Sequence, residues 1–318
     1  METIKKDNSG TLSLPENLEK LLTDCTLCPR NCHVNRMAGQ IGYCLQTGTL
    51  RAARAALHYW EEPCISGTAG SGAVFFGGCS MRCVFCQNHD IAAGEAGREI
   101  SVERLKEIFL ELQEQGANNI NLVTPTHFVP QIIRALQSAK KQGMYLPVVY
   151  NTGGYERVET LKMLDGLVDI YLPDFKYLNT DHAKKYSMAE DYPEVAKAAL
   201  AEMVRQAGKP VFDERGMMKR GVIVRHLLLP GCLADGKRVV KYLHETYGNR
   251  IYMSLMSQYT PLESLDAAKY PELNRKVPEY AYEKLVDYAI SLGVMQAFIQ
   301  EGDTAKESFI PPFTLEGV

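Results

Sequence analysis

Seven short apolar runs that alternate with amphipathic segments restrict the folds open to this chain more than any other feature. The runs occupy residues 73–77, 119–123, 147–150, 168–172, 222–229, 251–256 and 295–299. Strands that alternate with helices form right-handed βαβ units in a parallel sheet. Six units and a final strand predict an α/β fold, a partial (β/α)6 barrel, and a doubly wound open sheet is the alternative.

The segments between the runs carry helix signals. Ser101 is a predicted N-cap, and the apolar face that follows it ends before Gly116. Residues 129–142 end at Gly143, a residue type that commonly terminates a helix. Similar patterns predict further helices at residues 14–22, 195–206, 237–247 and 279–292.

Polar side chains gather where the apolar runs stop. They include Cys79, Thr124–His127, Asn151–Gly154, Asp174, Lys176, Arg225, His226, Gln258 and Gln300. Because the carboxyl ends of parallel barrel strands meet on one face, these residues predict a shared site there.

The charge balance and the ends of the chain exclude several classes of protein. Lys and Arg number 35 and Asp and Glu number 38, so no basic surplus predicts a nucleic-acid partner. The first residues are polar, and no run of about 18 apolar residues predicts a membrane span. We therefore expect a cytoplasmic protein, in a compartment where disulfides seldom persist.

Nine cysteines are the second unusual feature, and three of them form a compact motif. Cys79-Ser-Met-Arg-Cys83-Val-Phe-Cys86 follows the first apolar run directly. Three thiolates from one loop can hold three irons of a 4Fe–4S cluster and leave the fourth iron open to another ligand. Zinc would need a fourth ligand, and His89 lies too close in sequence to be a comfortable one.

Four more cysteines lie upstream, with the spacing Cys25-x2-Cys28-x3-Cys32-x11-Cys44. Four thiolates can close a second 4Fe–4S cluster or a tetrahedral zinc site, and the irregular spacing favours iron–sulfur. The two remaining cysteines, Cys64 and Cys232, are interpreted as buried free thiols.

These observations suggest three parts. Residues 1–64 are predicted to form an N-terminal metal-binding module with four cysteine ligands, residues 65–300 the barrel, and residues 301–318 a tail packed on it.

At Cys79, Cys83 and Cys86 the sequence resembles the radical SAM superfamily, whose Cys-x3-Cys-x-aromatic-Cys motif has Phe85 as its aromatic residue here. The resemblance implies a 4Fe–4S cluster that binds S-adenosylmethionine (SAM) and cleaves it reductively. The resulting 5′-deoxyadenosyl radical would abstract hydrogen from a small molecule or peptide. A flavodoxin or ferredoxin type of electron donor is implied as well.

The resemblance covers residues 25–313 and extends to the PflX-like branch, which is related to pyruvate formate-lyase activating enzyme. It is carried by residues 25–36, 39–44, 58–63, 65–67, 121–127, 255–261, 300–302 and 308–313. The implied fold is a radical SAM barrel with a Cys-rich N-terminal module.

The resemblance also implies roles for single residues. Phe85 would lie against the adenine of SAM. Most members carry Gly-Gly-Glu after the second strand, where this chain has Thr124-Pro125-Thr126, whose hydroxyls and carbonyls can still accept the amino group.

Further roles fall on later strand ends. Asn151 would reach the ribose or the substrate, and Asp174 and Lys176 resemble the Asp-x-Lys pair of the activating enzymes. Arg225 resembles a basic residue that faces the SAM carboxylate, and its alternative is an ion pair with Asp174 inside the barrel.

Other polar residues have a structural and a functional interpretation. His127 and His226 are predicted to be satisfied hydrogen-bonding residues and not catalysts. Glu61 and Glu62 either pack between the two cysteine regions or bind a polar substrate, and packing is favoured.

Three functions follow. The first is a radical SAM enzyme acting on a small molecule or peptide, and the second is an activating enzyme for a glycyl radical enzyme. The third, a non-catalytic iron–sulfur or zinc module, does not explain the polar strand ends.

Overall fold

The computed structural model describes residues 16–94, 96–300, 311 and 313–318. Within them, ten strands form one sheet. They are β1 (Leu50–His58), β2 (Ser71–Phe76), β3 (Arg98–Ile100), β4 (Ile120–Val123), β5 (Val148–Thr152), β6 (Ile170–Pro173), β7 (Val211–Phe212), β8 (Met218–Leu227), β9 (Tyr252–Met256) and β10 (Ala297–Ile299). Each of the seven predicted apolar runs overlaps one of these strands.

The strand order decides between the two predicted architectures. Strands β2, β4, β5, β6, β8, β9 and β10 are neighbours in that order, and every pair is parallel. A doubly wound sheet would reverse direction at a switch point. The observed order has no reversal, so the partial barrel is confirmed and the doubly wound sheet is wrong.

Helices connect these strands. They are α1 (Glu16–Thr23), α2 (Pro63–Ser66), α3 (His89–Ala92), α4 (Val102–Glu114), α5 (Val129–Lys141), α6 (Val158–Lys162), α7 (Thr180–Ser187), α8 (Tyr192–Ala207), α9 (Leu233–Tyr247) and α10 (Glu279–Ser291). The Ser101 side chain accepts a hydrogen bond from the Arg104 N–H and caps α4, as predicted.

The strands β2, β4, β5 and β6 are buried along their whole length. Strands covered on both faces read as continuous apolar runs, which is why the sequence located them. One large apolar cluster joins the barrel strands to α4, α5, α8 and α9. This core holds the carboxyl ends of the parallel strands at one edge.

Strand β1 was not predicted, because its Ala- and Arg-rich sequence has no strong period. It pairs antiparallel with β2 on one side and with β3 on the other. Strand β1 precedes the predicted boundary at residue 64, but its pairing makes it part of the barrel sheet. The division into three parts stays a prediction.

The described end of the chain packs on β1. The Leu315 N–H donates to the Ala53 carbonyl at 3.2 Å, and the Ala55 N–H donates to the Glu316 carbonyl at 2.8 Å. The Phe313 ring meets Phe75 edge-on, with centroids 5.5 Å apart. The rest of the predicted tail, residues 301–310 and 312, lies outside the described residues. No helix among the described residues is long and apolar enough to cross a membrane.

Candidate active site

The loop of residues 77–88, called the thiol loop below, begins where β2 ends. Gly78 has φ +84°, and a Cβ there would lie 2.4 Å from the Cys44 carbonyl oxygen. The Gly77 carbonyl accepts a hydrogen bond from His127 Nε2 at 2.7 Å. The loop is therefore held by the chain after β4 on one side and touches the N-terminal segment on the other.

The three thiols of this loop share one environment. Burial raises the pKa of Cys79, Cys83 and Cys86, for Cys86 to about 12, and the Lys176 ammonium opposes the shift in each case. The Cys79 Sγ accepts a hydrogen bond from the Met81 N–H at 3.3 Å, and Cys83 Sγ lies 3.0 Å from Ser187 Oγ. Thiols held this way are protonated near neutral pH unless a metal stabilises the thiolates.

A cavity of about 250 Å³ opens beside these thiols. Its lining includes all the cofactor-binding residues predicted from sequence except Pro125, namely Phe85, Thr124, Thr126, Asn151, Asp174, Lys176 and Arg225, together with Cys79, Cys83 and Cys86. Pro125 instead precedes the short 3₁₀ turn Thr126–Phe128. The strand ends thus converge on one cavity, as the barrel topology predicts.

Asp174, Lys176 and Arg225 form a charged network at the cavity wall. Lys176 Nζ lies 2.6 Å from Asp174 Oδ2, and Arg225 Nε donates to Asp174 Oδ1 at 3.0 Å. Burial opposes ionisation of Asp174, but the two cations outweigh it, so its pKa is lowered. Arg225 therefore forms the ion pair with Asp174 that the sequence analysis gave as the alternative to a contact with SAM. It also lines the cavity.

Glu61, which precedes α2, reaches the same network from the other side. Its Oε1 accepts hydrogen bonds from Asn121 and Asn151 at 3.1 and 3.0 Å, and its Oε2 lies 3.2 Å from Arg225. Glu62 is buried, and burial raises its pKa. Glu61 does not line the cavity, so these contacts favour the packing interpretation over substrate binding.

Another carboxylate, Glu156, lies behind the cavity, and it was not predicted from the sequence. Glu156 Oε1 accepts hydrogen bonds from the hydroxyls of Thr126 and Thr152, both of which line the cavity. Its only signal in the sequence is an acidic residue two positions after the polar stretch 151–154.

Both candidate histidines make structural hydrogen bonds. His226 Nδ1 lies 2.8 Å from the Phe175 carbonyl oxygen, and His127 bonds Gly77 as described above. Both side chains are buried, and burial lowers both pKa values, to about 3 for His127. Neither lines the cavity. The prediction of satisfied histidines holds for one ring nitrogen of each, because His127 Nδ1 and His226 Nε2 have no hydrogen-bond partner among the described residues.

The structure also gathers Cys25, Cys28, Cys32 and Cys44, called the cysteine quartet below. The Cys28 pKa is raised to about 12, first by burial and also by repulsion from the other three thiols. Gly42 lies between two of them, because a Cβ there would stand 3.6 Å from Cys32 Sγ and 3.7 Å from Cys44 Sγ. Four thiols thus surround one small volume.

A buried guanidinium attaches the quartet to the barrel. Arg36 is only 1% exposed, and it donates to the Thr47 carbonyl at 2.6 and 3.1 Å and to the His127 carbonyl at 2.5 Å. Its charge lowers the pKa of Cys44, against the larger effect of burial. Arg30 adds a second contact, because its Nε donates to the Ser80 carbonyl at 2.9 Å.

The donor set of the thiol loop suits an iron–sulfur cluster. Among the described residues, no three His, Cys, Asp or Glu side chains form a site for a single metal ion. Three thiols of one loop that line one cavity can bind three irons of a 4Fe–4S cluster, each thiol on a different iron. Cys64 and Cys232 are buried free thiols, as predicted.

The family assignment agrees with this geometry. Residues 73–231, half of the chain, match the Radical SAM superfamily. The chain belongs to this superfamily and is a radical SAM enzyme. Family membership implies a 4Fe–4S cluster, SAM and a reductant.

The related proteins include a named activating enzyme. The chain is 28% identical to the uncharacterised protein MJ0674 of Methanocaldococcus jannaschii, over 86% of this chain and 76% of that protein. It is 27% identical to pyruvate formate-lyase-activating enzyme of Clostridium pasteurianum, over 63% of this chain and 79% of that enzyme. The chain is therefore a distant relative of this activating enzyme.

The matches among solved structures have low sequence identity and TM-scores below 0.5. SuiB of Streptococcus suis, solved with the precursor peptide SuiA, matches with a TM-score of 0.48 and 13% identity. The match covers 71% of this chain and 47% of SuiB. A domain of pyruvate-formate lyase-activating enzyme from Bacteroides vulgatus matches with a TM-score of 0.39 and 16% identity, over 58% of this chain and all of that domain.

Proposed function

We propose that Cys79, Cys83 and Cys86 hold the 4Fe–4S cluster and that the adjoining cavity binds SAM. The observation that carries the proposal is that three half-buried thiols and the polar ends of five parallel strands line the same cavity. The enzyme would then abstract hydrogen from a small molecule or a peptide. No acid–base pair is required for that step.

Each residue at the cavity wall has a physical task in this proposal. When bound, the cluster supplies the electron for reductive cleavage of SAM. Phe85 provides an apolar surface for the adenine. Arg225 has five N–H donors and uses three of them on Asp174, Glu61 and Asn151, so donors remain for a carboxylate. Lys176 adds positive charge beside the thiols.

The cysteine quartet is proposed to hold a second metal centre. Four thiols beside a buried guanidinium suit a negatively charged thiolate centre, because Arg36 donates only to neutral carbonyls in its described contacts. A second 4Fe–4S cluster is favoured over zinc by the irregular spacing of the four cysteines in the sequence. Its role would be to pass an electron or to contact the substrate.

One experiment tests the main proposal. Protein reconstituted anaerobically with iron and sulfide should release 5′-deoxyadenosine and methionine from SAM when dithionite is added. Iron should reach about four per chain for the thiol loop alone and about eight if the quartet also holds a cluster. Zinc in the thiol loop, or no cleavage of SAM by iron-loaded protein, would contradict the proposal.

A second candidate function is supported by the relative in Clostridium pasteurianum. That enzyme is named for activating pyruvate formate-lyase, and the match covers 79% of its length. A glycyl radical enzyme would then be the partner of this chain. The two candidates separate by electron paramagnetic resonance, since only an activating enzyme produces a stable glycyl radical in an added partner protein. A flavodoxin or ferredoxin should replace dithionite in either case.

A further inference from the structure

The thiol of Cys83 differs from its two neighbours in the source of its hydrogen bond. The sulfurs of Cys79 and Cys86 accept hydrogen bonds from backbone N–H groups of the thiol loop itself. Cys83 Sγ instead lies 3.0 Å from Ser187 Oγ, a hydroxyl on the last residue of α7. Of the three sulfurs, therefore, Cys83 is the one whose polar partner is a side chain from outside the loop.

Ser187 is in turn joined to a second buried hydroxyl. Its Oγ lies 3.1 Å from Tyr177 Oη. Ser187 is fully buried, and Tyr177 is only 1% exposed. Within the described parts of the chain, neither hydroxyl has a further hydrogen-bond partner. The two hydroxyls therefore form a short hydrogen-bonded chain that ends at a sulfur of the thiol loop.

The direction of this chain follows from the state of the sulfur. A thiolate that binds iron has no proton, so Cys83 can only accept, and the Ser187 O–H donates to it. The Ser187 oxygen then accepts the hydrogen bond of the Tyr177 O–H, and both buried hydroxyls use their protons. The opposite direction would leave the thiolate without this donor and the Tyr177 O–H without an acceptor.

The residues on either side of Ser187 are anchored to the two cysteine regions. The Val84 N–H of the thiol loop donates to the Tyr186 carbonyl at 2.9 Å. Arg30, which lies in the cysteine-quartet segment, donates from Nη1 to the Met188 carbonyl at 2.7 Å. These contacts hold the end of α7 in place, and with it the serine hydroxyl beside the sulfur.

We propose that Ser187 and Tyr177 are positioning residues that act through Cys83 and raise the reduction potential of the thiol-loop 4Fe–4S cluster. The inference rests on the proposed function. A reduced cluster carries one more negative charge than the oxidised one, so a hydrogen-bond donor on its sulfur stabilises the reduced state more. One electron passes from the external reductant to the cluster, and both hydroxyl protons stay on their oxygens.

The test is a redox titration of reconstituted protein, followed by electron paramagnetic resonance. The signal of the thiol-loop cluster is identified as the one that changes when SAM is added. Ser187→Ala should lower the ratio of reduced to oxidised cluster at a fixed potential about ten-fold, which is about 59 mV for one electron. Tyr177→Phe should shift the potential in the same direction by less, because the serine hydroxyl remains. The double variant should match Ser187→Ala, since Tyr177 acts through the serine.

Tyr186→Phe is the matched control. It removes a hydroxyl from the same helix, one that donates to Glu272 at 2.5 Å, and should leave the midpoint potential unchanged. Equal potentials in wild type, Ser187→Ala and Tyr177→Phe would overturn the inference, and so would an equal shift in Tyr186→Phe. Lower stability of the two hydroxyl variants at an unchanged potential would show a structural role only. Wild-type protein without a SAM-sensitive signal would instead overturn the proposed function.

Discussion

The thiol loop and the cysteine quartet offer the same ligand atoms in different surroundings. The cysteines of the thiol loop are half-buried and face a cavity whose wall carries Asp174, Lys176 and Arg225. Three of the four quartet cysteines are buried, and the charged group beside them is the Arg36 guanidinium. The first site lines an open cavity, and the second is enclosed by its own segment together with barrel residues such as Met163.

The difference shows that the surroundings of a thiol group, and not its spacing alone, indicate its task. A site that exchanges a ligand needs room and groups of both charges, which the barrel strand ends provide. A site that keeps its metal needs only donors and enclosure. This difference supports the proposal that SAM is cleaved at the thiol loop and that the quartet has an accessory role.

The largest expected effect is the loss of SAM cleavage in Cys83→Ala. Removing one of three ligands from a loop with no spare thiol should lower the iron content and bring 5′-deoxyadenosine formation below detection. Cys28→Ala is the matched control, since it removes a ligand from the quartet and leaves the cavity intact. It should lose the second metal and retain uncoupled SAM cleavage. Cleavage in Cys83→Ala would contradict the ligand assignment.

The next prediction concerns the contact between the two regions. Gly78 and Gly116 have nearly the same φ, +84° and +85°, but a Cβ at Gly78 would lie 2.4 Å from Cys44 O, whereas Gly116 has open space around it. Gly116→Ala should cost about 1 kcal/mol in the free energy of unfolding. Gly78→Ala should cost about 3 kcal/mol or more, because crowding adds to the strain. Chemical denaturation of both variants measures the difference.

Reconstitution of the same variants tests whether the contact matters to both metal sites. Gly78→Ala should lower iron binding at both, and Gly116→Ala should not. Equal free energies of unfolding for the two variants would contradict this prediction, because they would mean that the backbone at Gly78 and Cys44 can move apart at little cost.

Much of the barrel was predictable from sequence, for a physical reason. Strands buried on both faces must be apolar throughout, and their carboxyl ends must share an edge, so Asn151, Asp174 and Arg225 could be placed at one site. Strand β1 was not predicted, because Leu50–His58 is rich in alanine and half-exposed arginine and has no strand-like pattern. It is held in the sheet by its backbone pairing with β2.

The contacts of the carboxylates behind the cavity could not be predicted. Glu61 meets Arg225 across 164 positions of sequence, and Glu156 meets Thr126 across 30. Such contacts depend on how the strands close, which no local pattern encodes. Pro125 is the one predicted cofactor-binding residue outside the cavity lining, because it precedes the turn that carries Thr126, and its role stays a prediction.

A smaller effect is expected for Glu61→Gln. Removing the charge weakens the contact with Arg225 and should lower the free energy of unfolding by about 2 kcal/mol. Glu159→Gln is the control, because Glu159 forms an exposed pair with Arg157 and should change stability by less than about 0.5 kcal/mol. A changed substrate affinity with unchanged stability would support the discarded interpretation, in which Glu61 binds the substrate.

The smallest effect is a pH dependence that only the cavity side should show. The folded pKa of Glu156, about 7, is raised above its ordinary value of 4.5, so the folded state binds this proton more tightly than the unfolded chain does. Its contribution to stability is therefore present at low pH and is lost as the pH rises toward and through 7. Between pH 6 and pH 8 the free energy of unfolding should fall by about 1 kcal/mol more in wild type than in Glu156→Gln.

The groups that face Glu156 from neighbouring strands are the phenols of Tyr150 and Tyr171, whose pKa values are raised above 10, so they stay neutral over this range. The difference between the two proteins, measured by denaturation at each pH, isolates this carboxylate from the rest of the chain. Parallel curves would show that Glu156 keeps one protonation state across the range.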